Sequence, residues 1–145
     1  MIESASQGLV YVSGPYTKGN PLEHVRRAII VAEWYRRKGW AVALPHLSIQ
    51  WEIMFPLSWE EWLAQDLALV ERCDRVIRLP GISQGADLEV AHAKKLDIEV
   101  HYLSPEEMTE IGKEIMGTAL DYIPNSQRSL PASNGRPSGT TRPQT

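Results

Sequence analysis

Apolar and polar positions along the chain follow two periods. Four short apolar runs, GLVYVS at 8–13, WAVALP at 40–45, RVIRL at 75–79 and IEVHYL at 98–103, have the length and β-branched content of buried strands. The segments after them repeat with the spacing of a helix. In 22–39 the apolar positions are Leu22, Val25, Ile29 and Ala32, then Trp34 or Tyr35, and Gly39 supplies a stop. In 58–73 a capping box of Ser58 and Glu61 precedes a stripe of Trp59, Trp62, Leu63, Leu67 and Val70. Residues 84–96 offer Leu88, Ala91, Ala93 and Leu96 as packing positions. The last helix, 104–123, opens with Ser104 as cap and Pro105 at its first position. Only 46–57, HLSIQWEIMFPL, reads as irregular, and it is unusually rich in large apolar residues for a loop.

The order β-α-β-α-β-α-β-α predicts an α/β domain with a parallel sheet and helices on both faces. Right-handed crossovers gather the strand-to-helix loops at the carboxyl edge of that sheet, where such folds bind ligands. Two of these loops stand out as functional: GPYTKGNP at 14–21, after the first strand, and the loop at 80–85, after the third.

Composition narrows the class. A chain of 145 residues, 43% hydrophobic and 23% charged, suits one domain with a single core. The net charge of -3 gives no support for a nucleic-acid polymer as partner. No apolar run approaches the roughly 20 residues of a membrane span. The single cysteine, Cys73, cannot form an internal disulfide, and the N-terminus MIESASQG lacks the apolar stretch of a signal peptide, so a cytoplasmic protein is expected. Residues 124–145 are rich in Pro, Ser, Gly, Asn and Thr and have little to bury; they are expected to form a disordered tail behind a domain of residues 1–123.

Two carboxylates fall where apolar residues belong. Asp66 lies seven residues after Trp59 and four after Trp62, inside the stripe; it is either solvated at the stripe's edge or held in a polar site. Glu89 lies near the start of the helix at 84–96, where the macrodipole favours an ionised carboxylate, suited to act as a nucleophile or to stabilise a cation. Spacing alone favours reading it as a helix-favouring acid, although Asp87 is better placed for that role. Ser83, Gln84 and Gly85 form either an ordinary cap or an anion site at the same helix N-terminus. His46 follows the second strand and is placed to line a cleft. His24, His92 and His101 read as surface residues, and no histidine shows metal-ligand spacing; no metal and no cofactor are expected.

VYVSGPYT, WLAQDLALVERCDRVIRLPG and SQGADLEVAHAKKLDIEVHYL, in that order, together resemble the nucleoside 2-deoxyribosyltransferase superfamily, which includes the deoxynucleoside 5'-monophosphate N-glycosidases; PLSWEEWLAQD is most similar to its uncharacterised bacterial and phage branch. The resemblance covers most of residues 8–103. It implies a flavodoxin-like or Rossmann-like three-layer sandwich with a mostly parallel sheet of four to five strands. It also implies cleavage of an N-glycosidic bond. By resemblance the nucleophilic glutamate falls on Glu89, the tyrosine that hydrogen-bonds it on Tyr11, and the aspartate that assists base departure on Asp66. Ser13, Gly14, Pro15, Tyr16, His46, Ser83, Gln84 and Gly85 are then the expected substrate-binding residues. The transferases carry an acid six residues before the glutamate and the monophosphate glycosidases a serine; Ser83 fits the latter. The first loop departs from the glycosidases, with Pro15 and Thr17 at the positions of their phosphate-binding serine and arginine, and Lys18 following. The resemblance thus implies hydrolysis of (deoxy)nucleoside 5'-monophosphates; base exchange between nucleosides, or a nucleotide-binding module without turnover, are the alternatives. The expected partners are a small nucleotide or nucleoside and, through the apolar 47–62 stretch, a second copy in a homodimer or higher homo-oligomer.

Overall fold

The computed structural model describes residues 2–117. The chain runs β1 (Gly8–Ser13), α1 (Pro21–Arg37), β2 (Trp40–Ala43), a 3-10 turn (Pro45–Ser48), α2 (Ile49–Met54), α3 (Trp59–Val70), β3 (Arg75–Arg78), α4 (Gln84–Lys95), β4 (Glu99–Tyr102) and α5 (Pro105–Met116). The expected tail at 124–145, and the part of the last predicted helix at 118–123, lie outside the described residues. The strands form one parallel sheet in the order β2-β1-β3-β4. Helix α1 packs with α5, and α3 with α4, giving the Rossmann-like three-layer α/β sandwich with a sheet of four strands. No helix among the described residues is long and apolar enough to cross a membrane.

The two-residue period of β1 sorts its side chains between two cores. Val10 and Val12 join Ala28, Val31, Tyr35 and Ile77 in one core, which also takes Ile111 from α5. Tyr11 joins Val70, Cys73, Val76, Val90 and Ala93 in the other, beneath α3 and α4. Ser13 lies two residues beyond Tyr11 and Arg78 two beyond Val76, and the two are register partners at the ends of β1 and β3. The second core therefore ends in polar side chains at the carboxyl edge.

The capping sequences behave as read. Ser58 with Glu61 and Ser104 with Glu107 form complete capping boxes, and Ser83 caps α4. The packing faces differ from expectation. Helix α1 buries Ala28, Val31 and Tyr35, while Leu22 and Ile29 are exposed. Helix α4 buries Ala86, Glu89, Val90 and Ala93, and Leu88, Ala91 and Leu96 face outward. A stripe fitted to apolar residues alone skips the position that a carboxylate occupies, so it settles on the wrong side of the helix. The segment at 46–57 is not irregular: it forms the 3-10 turn and α2, although α2 buries none of its own residues. Glu52 of α2 accepts hydrogen bonds from the Leu57 N–H and the Trp62 indole, which fastens α2 to α3.

Candidate active site

Strands β2 and β4 leave the central β1–β3 pair in opposite directions, so the loops after β1 and β3 diverge around a switch point of the sheet. At their bases the loops touch. A Cβ on Gly14 would meet Leu79 at 2.9 Å, and one on Gly81, which has φ +117°, would meet Pro15 at 2.8 Å. Both positions need glycine for this approach.

A cleft of about 380 Å³ opens on the α3–α4 side. It brings together Gly14 and Tyr16 of the first loop, His46 after β2, Asp66 of α3, and Ser83, Gln84, Gly85 and Glu89 at the start of α4. Tyr11 and Ser13 lie fully buried beneath it. Pro15 does not join this group: it lines a separate cavity of about 470 Å³ beside α1 and α5, and its carbonyl accepts from His46.

Glu89 is 6% exposed, and its Oε2 accepts from the Ser13 hydroxyl at 2.5 Å. Burial pushes its carboxyl from an ordinary 4.5 up to about 7. The Ser13 hydrogen bond opposes that rise, the charge of Asp66 adds to it, and Tyr11 and Arg78 hold it back. This replaces the basis on which the sequence placed a charge here. The helix begins at Gln84, so Glu89 sits in its second turn, beyond the reach of the macrodipole, and the first-turn acid is Asp87. With a pKa near 7, Glu89 is a mixture of protonated and ionised forms at neutral pH.

The Tyr11 hydroxyl is sealed from solvent without a hydrogen bond of full geometry. Burial, and then the neighbouring charges of Glu89 and Asp66, raise its pKa well above 10, so it stays a neutral donor beside Glu89. Asp66 is half-buried in the cleft wall, and burial raises its carboxyl from 3.8 to about 6. Asp66 therefore faces the cleft rather than open solvent. His46 is 4% exposed, with Nε2 3.1 Å from the Pro15 carbonyl, an acceptor that places the proton on Nε2. Its Nδ1 is buried without a partner among the described residues, and burial lowers its pKa, so the ring is neutral.

Ser83 performs the ordinary cap function, accepting from the Ala86 N–H at 3.2 Å. The N–H groups of Gln84 and Gly85 belong to the first turn, which has no intrahelical acceptors, and Lys18 lines the same cleft. That combination suits an anion.

Sequence reasoning missed three residues. Arg78 is 6% exposed and donates to the carbonyls of Leu79 and Gly81 and, at 2.8 Å, to Asp87, so one guanidinium shapes the loop into α4. Its signal was a charge inside the apolar run RVIRL. Glu52 and Trp62 also line the cleft; Glu52 fell in a stretch read as irregular and Trp62 in a helical stripe read as packing, so nothing in the spacing linked them. Among the described residues no three His, Cys, Asp or Glu converge to hold a metal ion.

Eight solved chains match this one, among them the Clostridium botulinum CMP N-glycosidase BcmB, with 17% identity, coverage of 73% of this chain and 97% of that chain, and a TM-score of 0.49. No curated protein sequence matches. The family match and the α/β sandwich agree with the superfamily resemblance read from the sequence. DUF4406, a domain of unknown function, matches residues 9–102, well over half of the sequence, and the chain belongs to that family.

Proposed function

We propose that the protein is an N-glycosidase that hydrolyses the base–sugar bond of nucleoside or deoxynucleoside 5'-monophosphates, with Glu89 as nucleophile. The observation that carries this is the buried Glu89 carboxylate, bonded by Ser13 and set beside Asp66 in a cleft at the carboxyl edge of the sheet. Two carboxyl groups with raised proton affinities in one cleft are the usual equipment for acid–base and nucleophilic work. The cleft's volume falls within the range of small-ligand sites.

The ionised Glu89 attacks the anomeric carbon as the bond to the base nitrogen breaks. The bonding electron pair leaves with the base, and protonated Asp66, directly or through a water, supplies the proton that the base takes up. Water then attacks the anomeric carbon of the glycosyl ester, releasing Glu89 as a carboxylate and passing its own proton to Asp66. Ser13 stabilises the carboxylate form at both ends of the cycle. Lys18, Ser83 and the first N–H groups of α4 receive the 5'-phosphate.

The test is a panel of nucleosides and their 5'-monophosphates, with free base measured by chromatography, with and without an added acceptor base. Base release from monophosphates without acceptor supports hydrolysis. Release only with acceptor indicates base exchange, and tight binding with no release indicates a binding module.

A further inference from the structure

Glu52 is committed on one side only. Its Oε2 accepts both the Trp62 indole N–H and the Leu57 N–H, while Oε1 has no hydrogen-bond partner among the described residues. The residue is half-buried and lines the cleft. It is also held in place: the two donors fix the carboxylate, and Trp51, beside it on α2, meets the Trp62 ring edge-on at 5.5 Å. The Tyr16 phenol is close enough to feel the Glu52 charge.

The surroundings are those of a base rather than of a sugar or phosphate. Trp59, Trp62 and Asp66 follow one another on the inner side of α3 at helical spacing, and all three line the cleft. If Asp66 serves the departing base, that base lies along this face, toward Trp62 and the carboxylate bonded to it. Aromatic rings there offer flat apolar walls. An ionised carboxylate can only accept hydrogen bonds. It welcomes an amino group on the base edge and opposes a carbonyl oxygen in the same place.

We infer that Glu52 reads the base, its free oxygen accepting from an exocyclic amino group, so that amino-bearing bases are selected over their keto counterparts. This rests on the proposed site as a nucleotide site and adds the class of base to it. Cytosine and uracil, and adenine and hypoxanthine, differ in that exchange of amino for keto. A site built around one hydrogen-bonding pattern rejects the analogue that lacks it, because a buried polar group is left unpaired.

The experiment measures kcat/KM for CMP against UMP and AMP against IMP, with the deoxy forms in parallel. Dissociation constants for the same nucleotides are measured by calorimetry in Glu89→Gln, where turnover cannot interfere. In whichever pair the protein uses, the amino nucleotide is expected to be preferred by about tenfold or more. Glu52→Gln keeps one oxygen for Trp62 and Leu57 and puts an NH2 where the free oxygen was, so it should erase or reverse the preference. The inference is overturned if wild type treats both members of each pair within about twofold, by turnover and by binding, or if Glu52→Gln leaves the ratio unchanged. Base release without preference sinks the role of Glu52 and leaves the glycosidase standing; tighter binding of amino nucleotides without release from any of them does the reverse. Should Glu52→Gln fail to fold, the wild-type ratios decide.

Discussion

Ser13 and Glu89 meet at 2.5 Å across the top of the sheet, one the last residue of β1 and the other in the second turn of α4. The two-residue period of β1 turns Ser13 toward α4, and the helical period of α4 turns Glu89 down beside Val90 and Ala93. A hydrogen bond to an ionised carboxylate is short and strong, and here it is the chief influence that opposes the rise caused by burial.

Ser13→Ala removes that opposition. The Glu89 pKa should climb further above about 7, which shrinks the fraction of protein with Glu89 ionised and Asp66 protonated. Relative to wild type, kcat/KM should fall roughly tenfold or more at pH 6, with the ratio recovering as pH rises past 8. A profile lowered equally at every pH would mean that Ser13 merely supports the fold.

Glu89→Gln should abolish base release and yet stabilise the protein in alkaline solution. The folded carboxyl titrates near 7, against an ordinary value of 4.5. Between those values the native state holds a proton that the unfolded chain has released. Folding then takes up a proton, and stability falls as pH rises toward 7. The isosteric amide escapes this penalty, which at full burial is on the order of 3 kcal/mol. The melting temperature of Glu89→Gln should exceed that of wild type at pH 8, with the gap closing by pH 4. A gap that does not change with pH would contradict the buried, reluctant carboxylate.

Asp66 titrates near 6, raised by burial, and Glu89 near 7, where the charge of Asp66 adds to the rise caused by burial. The proposed mechanism needs Glu89 ionised and Asp66 protonated, so kcat/KM should follow a bell with its maximum between those values, belonging to the pair rather than to either residue. Asp66→Asn should remove the alkaline limb and lower turnover by about 10²- to 10⁴-fold. A pH–rate profile of this variant that keeps both limbs assigns the alkaline one elsewhere.

The sequence carried the sandwich because alternating periods, capping residues and short connections all point the same way. It carried less of the site. Glu89 was visible as a carboxylate out of place, but its environment was not: the macrodipole is a local property, whereas burial under Ser13 and beside Asp66 depends on three elements meeting. The same gap hid Arg78, whose partners Leu79, Gly81 and Asp87 surround it only once the loop has turned. Pro15 was grouped with its neighbours in one loop, yet the loop passes over the edge of the sheet and leaves it on the opposite side from Gly14 and Tyr16.

Ser83→Asp tests the phosphate end. The cap survives, because aspartate also accepts from the helix N–H groups. The added charge beside Gln84, Gly85 and Lys18 repels a 5'-phosphate. Monophosphate kcat/KM should fall by tenfold or more while that for the matching nucleoside changes little. Equal losses for both substrates, or wild-type indifference to the phosphate, point instead to a nucleoside enzyme.

Assembly is the remaining expectation. Helix α2 buries no residue of its own, and Trp51, Ile53, Met54 and Phe55 are 51%, 75%, 72% and 62% exposed. Apolar surface of this extent on a small domain marks an interface, and α2 is too short to stand as an independent helix. Sedimentation velocity at micromolar concentration should therefore show a dimer or larger assembly. Phe55→Glu, which sets a charge among these exposed apolar side chains, should shift it to monomer. Because α2 also carries Glu52 into the cleft wall, that variant should raise KM more than it lowers kcat. A wild-type protein that sediments only as a monomer would show that α2 is held by Glu52, Trp62 and Leu57 alone.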